Sequence, residues 1–244
     1  MSSHSDSSGS SSASSSSSEL KHYGKLLVAT HNKGKLNEIL RIFSVAIPNL
    51  QLFTLADFPG ADEVDEVGGS FEANALLKAR AGFLHSGIPT LADDSGLVID
   101  ALDGRPGIHS ARYSGGGDLA NIEKVLDELR GVPAERRTAR FVTVAAFVDR
   151  VDQTNQEVAD RQSIEPTLSG ALTERGELEG AITTEPRGEA GFGYDPIFAP
   201  SGSLSTLAQL TAEEKDEISH RGRALRKIAP RVGLRFAQIQ RRVE

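Results

Sequence analysis

The chain of 244 residues contains no cysteine and no tryptophan. That absence excludes disulfides, iron–sulfur clusters, zinc fingers, cysteine nucleophiles and the P-C-x-x-C zinc deaminases. It also fits a reducing compartment. Positive charge is in deficit, with 27 Lys+Arg against 34 Asp+Glu for a net −7, and aromatics make up only 5%. The basic stripe of a nucleic-acid binder is therefore missing. Long apolar runs are missing too. The longest, residues 141–148 (FVTVAAFV), is about half of the roughly 18 residues a membrane span needs. These absences point to a soluble, cytoplasmic protein with neither a nucleic-acid nor a membrane partner.

Residues 1–18 hold 13 serines and no aliphatic residue beyond Met1 and Ala13. Such a segment buries too little apolar surface to offset its ordering entropy, so residues 1–19 are expected to be a disordered tail. It has no basic or apolar region of a secretory signal, and reads equally as an expression tag or a natural extension. Residues 20–244 are expected to be a single domain. Residues 26–30 (LLVAT) read as a buried strand feeding a helix whose Leu36, Ile39, Leu40 and Phe43 share one face. A second helix is predicted over 71–85, ended by Gly87 and Pro89. Residues 89–92 and 97–99 read as strands flanking a polar turn, Asp93-Asp94-Ser95-Gly96. Asp118 is expected to cap a third helix with Leu119, Ile122, Leu126 and Leu129 on one face. Residues 141–148 are the strongest central strand, and 150–165 read as either a hairpin or a loop. Thr211 and Glu214 form a capping box for a helix near the C-terminus. Strands and helices mix along the chain, so the class is α/β or α+β on one sheet.

Thr30, His31, Asn32, Lys33, Gly34 and Lys35 join the first strand to a helix N-terminus, where unpaired N–H groups, the helix dipole and two lysines favour an anion such as phosphate. The loop is not a P-loop, because Ala29 stands at its first glycine and Leu36 at its Ser/Thr. A solvated polar turn has the same pattern. Asp93 and Asp94 at a strand end offer ligands for a hard cation or a base for water, or else simply cap a turn. Asp62, Glu63, Asp65 and Glu66 precede two glycines and either share that cation or form a solvated face. Phe192, Gly193, Tyr194 and Asp195 put two aromatics and a carboxylate in a glycine-flanked turn suited to stacking on a base, though a hairpin with its rings in the core reads alike. Ser219, His220 and Arg221 follow the capped helix, and Arg221 offers planar donors to a carbonyl or phosphate oxygen unless it is merely exposed. No H-E-x-x-H and no G-x-S-x-G occurs.

Five segments in order, VATHNKGKLNEI (28–39), DEVGGSFEANALLKARA (65–81), ADDSGLVIDALDGRPGIHSARYSG (92–115), GFGYDPIF (191–198) and AQLTAEEKDEISHRGRAL (208–225), closely resemble one family. This is the noncanonical purine nucleoside triphosphate pyrophosphatase, or inosine triphosphatase, family. The resemblance implies an elongated mixed sheet with flanking helices and two lobes around a central cleft, as a homodimer. It implies magnesium-dependent hydrolysis of ITP, dITP and XTP to the monophosphate and pyrophosphate, cleansing the nucleotide pool. It places the phosphates on Thr30 to Lys35 and makes Asp94 both the catalytic acceptor and a magnesium ligand. Asp65 becomes a second ligand, where the family usually has Glu. Ser95 touches substrate, Phe192 to Asp195 line base and ribose, Lys215 reaches phosphate, and His220 and Arg221 read the purine edge.

Competing readings are a pyrophosphatase for modified pyrimidine triphosphates, a general nucleotide phosphatase, and a nucleotide-binding regulator without turnover. A regulator has no need of the paired aspartates. A carboxylate-pair glycosidase needs a separation of about 5–9 Å that adjacent aspartates do not specify.

Overall fold

A short apolar strand, β1 (Lys25–Val28), has its side chains at 26–28 fully buried. It is part of a computed structural model that describes residues 24–61, 64–150 and 170–240. The serine-rich segment, Asp62, Glu63 and most of the 150–165 stretch lie outside those residues. Helix α1 (Lys33–Ala46) follows, its N-terminus capped by the Asn32 side chain accepting the Lys35 N–H at 3.0 Å. Its Ile39 and Phe43 are buried, as the apolar stripe predicts. Strand β2 (Gln51–Thr54) pairs parallel with β1. Helix α2 (Phe71–Ser86) is capped by Ser70 and ends where Gly87 turns left-handed at φ 69°.

Beyond α2 the structure corrects the reading of residues 93–96. They form no turn. Residues Thr90–Ile99 are one ten-residue strand, β3, paired antiparallel along its whole length with β4 (Thr138–Val148). The ladder satisfies the backbone, and the polar side chains find partners on other elements. Strands β5 (Leu172–Ile182) and β6 (Phe198–Pro200) complete a mixed sheet of order β2-β1-β3-β4-β5-β6.

Helix α3 (Asp118–Glu128) brings two further corrections. Gly117, not Asp118, is its N-cap, and the Asp118 carboxylate instead accepts the Gly193 N–H at 2.8 Å. Leu119 is 78% exposed, and the buried apolar residues along this segment are Ile122, Val125 and Leu129. The Thr211–Glu214 capping box opens α4 (Ala212–Ile218), as expected. Ser219 then adopts extended backbone, ends α4, and accepts the Gly222 N–H at 2.9 Å to start α5 (His220–Gln240).

Strand periodicity decides where the cores lie. On one face of β3 and β4, Leu91, Ala145 and Phe147 pack with α1 and α5, while Leu97, Ile99, Ala139 and Phe141 pack in a separate cluster with residues of α3 and β5. Between these two packed ends the same face carries Asp93, Ser95 and Thr143. The opposite face carries Ala92, Val142, Val144, Ala146 and Val148 under α2. The mixed sheet with helices and a cleft between two packed ends is the expected architecture.

Helix α5 approaches β5 at Gly176, where a Cβ would collide with the His220 carbonyl oxygen and come within 2.6 Å of the Ala224 N. Gly176→Ala is therefore expected to lift the first turn of α5 from the sheet at a cost of about 1–3 kcal/mol, read as a lowered Tm. An unchanged Tm would show that the helix does not need this approach.

Candidate active site

Strand β1 pairs with β3 only at Thr90 and Leu91. Past that point no further strand among the described residues continues this edge of β3; Pro106 makes an isolated bridge to Val98, and Leu97 N–H is met by the Ser110 hydroxyl at 2.8 Å. A cleft opens here, lined among others by Asn32, Lys35, Glu66, Asp94, Phe192 and Arg221. A second opening, which shares Asn32, Lys35 and Glu66 with it, holds Thr30, His31 and Lys78.

Adjacent residues of a strand point to opposite faces, so Asp93 and Asp94 serve different surroundings. Asp94 faces α2. Its Oδ1 lies 2.8 Å from Lys78 Nζ, and its Oδ2 accepts Asn74 Nδ2 at 3.1 Å. Lys78 Nζ is also 2.8 Å from Glu66 Oε1. Asp65 is exposed, whereas Glu66 lines the cleft and is further bonded to Arg112. Burial pushes the Asp94 carboxyl above the ordinary range, against the pull of Lys78 and Lys35. Burial also acts to raise Glu66, but hydrogen bonds and charge from Lys78 and Arg112 outweigh it and bring that group to about 2.

Asp93 faces α1 and α5. Its Oδ2 receives Lys35 Nζ at 3.2 Å, Arg221 Nε at 3.2 Å and the Ser95 hydroxyl at 2.5 Å. Burial alone would raise its carboxyl, yet Lys35 and Arg221 hold it far below the usual range. Arg221 is 2% exposed rather than on the surface. Besides Asp93 it bonds Glu38 and, through Nη2 at 3.1 Å, Ser95. Three of the five guanidinium N–H groups are thus engaged, leaving one on each terminal nitrogen without a partner among the described residues.

Glu38 continues the arrangement to Lys215, 2.9 Å away, and Lys215 Nζ sits 2.6 Å from Asp195 Oδ2. Asp195 Oδ2 in turn accepts the Phe192 N–H at 2.9 Å. Lys215 therefore lies at the aromatic end, 4.4 Å above the Phe192 ring, with Arg221 at 5.5 Å. The ring rests against α1 at Gly34, where a Cβ would collide with it. Tyr194 is buried, its hydroxyl donating to Ser110 O at 2.8 Å. His220 stacks on Phe141 at 4.6 Å with planes 9° apart, and its buried Nδ1 has no partner among the described residues.

The sequence-predicted residues thus come together, with Thr30 to Lys35 on one side of the cleft and Phe192 to Asp195, His220 and Arg221 on the other, the two sides touching where the Phe192 ring meets Gly34 and where Lys35 and Arg221 share Asp93. His31 and Lys33 are exposed. Glu38, Asn74 and Lys78 escaped the sequence reading. Glu38 stands three residues after Lys35 on α1, and Asn74 and Lys78 are i and i+4 on α2. That spacing is the signal available to find them.

The family model described as Ham1 family matches residues 26–231. The chain belongs to the Ham1 family. A relative from Nocardia farcinica named dITP/XTP pyrophosphatase is 47% identical over 209 residues, covering 84% of this chain and 93% of its own. A crystal structure of a Mycobacterium abscessus protein described as nucleoside-triphosphatase / dITP/XTP pyrophosphatase is 44% identical, with a TM-score of 0.62 over 84% of this chain and 99% of that one. A HAM1 protein from Coxiella burnetii is 34% identical, with a TM-score of 0.71 over 85% and 98%. Among the described residues of this Ham1 chain, no helix is long and apolar enough to cross a membrane.

Burial, followed by the charges of Arg221 and Lys215, holds the His220 imidazole well below its ordinary value. The folded protein keeps it neutral, while the unfolded chain takes up a proton as pH falls through about 6.5. The unfolded state then binds more protons, so this group makes stability fall as pH drops below that point. Tm measured between pH 7.5 and 5.5 is expected to fall more steeply for the wild type than for His220→Gln. Parallel slopes would mean that His220 titrates normally in the fold.

Proposed function

We propose that this chain hydrolyses noncanonical purine nucleoside triphosphates, ITP, dITP and XTP, to the monophosphate and pyrophosphate. The observation that carries the reading is a single cleft with lysines and a helix N-terminus beside two converging carboxylates at one end, and an aromatic–arginine pocket at the other. The activity for which the Nocardia farcinica relative is named agrees with it. Asn32, Gly34 and Lys35, with Thr30, His31 and Lys33, hold the phosphates through backbone N–H groups and ammonium charge. Asp94 accepts the proton of the attacking water, a task suited to a carboxyl raised by burial and fixed by Asn74. Phosphoryl chemistry of this kind rests on positioning and charge neutralisation more than on covalent steps.

The donor set fits a hard divalent cation. Asp94 and Glu66 both reach one ammonium, that of Lys78, so both reach one point in the cleft. Magnesium commonly takes one or two carboxylates together with phosphate oxygens. When bound, it supplies charge neutralisation to the phosphates and polarises water. Glu66 is the better-placed second ligand, and Asp65, one residue away and exposed, acts through water if at all.

At the other end Phe192 stacks on the purine, with Tyr194, Gly193 and Asp195 shaping the wall and Lys215 holding Asp195. Ser95 steadies the guanidinium, and His220 floors the pocket. Arg221 presents its two free N–H groups to an acceptor. Hypoxanthine and xanthine offer O6, whereas adenine offers an amino donor that leaves both sides unpaired. Location in the cytoplasm, a single domain over 20–244 and a homodimer belong to the same proposal.

A magnesium-dependent screen of ITP, XTP, ATP, GTP and dUTP is expected to release pyrophosphate from ITP and XTP. Asp94→Asn is expected to lower that turnover by at least ~10²-fold with the fold retained. Arg221→Lys, which keeps a buried cation but lacks the planar fork, is expected to cut kcat/KM more steeply for ITP than for ATP. Stepwise phosphate release, or equal fractional losses for ITP and ATP, would contradict these assignments.

A further inference from the structure

Lys35, Asp93, Arg221, Glu38, Lys215 and Asp195 form one run of alternating charge from the lysine loop to the Phe192 loop. Its members are unequally buried. The Arg221 side chain is 2% exposed and that of Lys215 7%, but that of Lys35 is 16% exposed. Lys35 also lines both openings of the cleft. It is the member free to leave the run for a ligand. Within the run, Lys35 and Arg221 share a single oxygen, Asp93 Oδ2, while Asp93 Oδ1 is buried without a partner among the described residues. Two cations on one carboxylate oxygen repel each other and divide its charge.

We propose that Asp93 is a positioning residue that couples the phosphate end of the cleft to the base end. When a polyphosphate draws Lys35 away, Asp93 Oδ2 is left to Arg221 and Ser95. The guanidinium is then held more firmly in the orientation that meets the base. Base selection is therefore stricter for a triphosphate than for a monophosphate. By linkage the same factor makes the triphosphate's advantage over the monophosphate larger for inosine than for adenosine. The inference rests on the proposed function, since it takes the base to lie at Arg221 and the phosphates at Lys35.

Four dissociation constants measure the coupling: IMP, AMP, and the α,β-methylene analogues of ITP and ATP, in which carbon replaces the bridging oxygen of the bond to be broken. In the wild type, the inosine-over-adenosine preference is expected to be about fivefold or more greater for the triphosphate analogues than for the monophosphates, the low end of typical site–site coupling. In Asp93→Asn and in Lys35→Ala the two preferences are expected to agree within about twofold. Lys35→Ala removes only the most exposed member of the run, so it decides the matter if Asp93→Asn fails to fold. Circular dichroism and Tm check the variants, and a merely structural role would weaken all four ligands without changing the ratio of ratios. Equal preferences for mono- and triphosphate in the wild type, or an unchanged difference in a folded Lys35→Ala, would overturn the coupling and leave the proposed function standing. No preference for inosine in either pair, together with no pyrophosphate release from ITP, would overturn both.

Discussion

A fully buried guanidinium at the start of a helix is the constraint on which this site depends. Arg221 stands in the first turn of α5, where the helix dipole is itself positive. Neither the dipole nor the burial favours a cation there, so the group persists only because Asp93 and Glu38 meet it from two other elements. Those carboxylates in turn need cations of their own, and Lys35 and Lys215 supply them. Burial and pairing pull oppositely on Asp93 and Glu38, and the pairing wins, holding both carboxyls below their ordinary values. Removing one member strands a buried charge, which is costlier than never having buried the pair.

The sheet makes this possible through two simple rules. Alternation places Asp93 over α1 and α5 and Asp94 over α2, so two neighbouring aspartates enter different electrostatic surroundings. The early end of β1 leaves an edge of β3 open, so both surroundings reach the same cleft. One aspartate is thereby a scaffold for cations, and the other is available for chemistry.

Much of this was legible from the residues. Apolar spacing found α1, the stop at Gly87 and Pro89 marked α2, the capping box found α4, and the glycine-flanked aromatics led to the cleft. Residues 93–96 misled because four polar or small residues read as a turn, whereas the strand tolerates them by borrowing partners such as Lys78 and Arg221 far along the chain. Asp118 looked like a cap because local sequence cannot show that its carboxylate reaches Gly193. Glu38 passed for one more charge on an amphipathic helix. Burial of an acid is visible only when its two cations, at 215 and 221, have been folded against it.

The central claim is that one cleft holds phosphate at the lysine end and a purine carbonyl at the buried arginine. A crystal structure of the Asp94→Asn variant soaked with ITP and magnesium tests it most directly. The account predicts the hypoxanthine O6 within hydrogen-bond distance of a terminal Arg221 nitrogen, the ring stacked on Phe192, and phosphate oxygens at Lys35 and the α1 N-terminus. An inosine base lying away from Arg221, or phosphates at the Phe192 end, would contradict it.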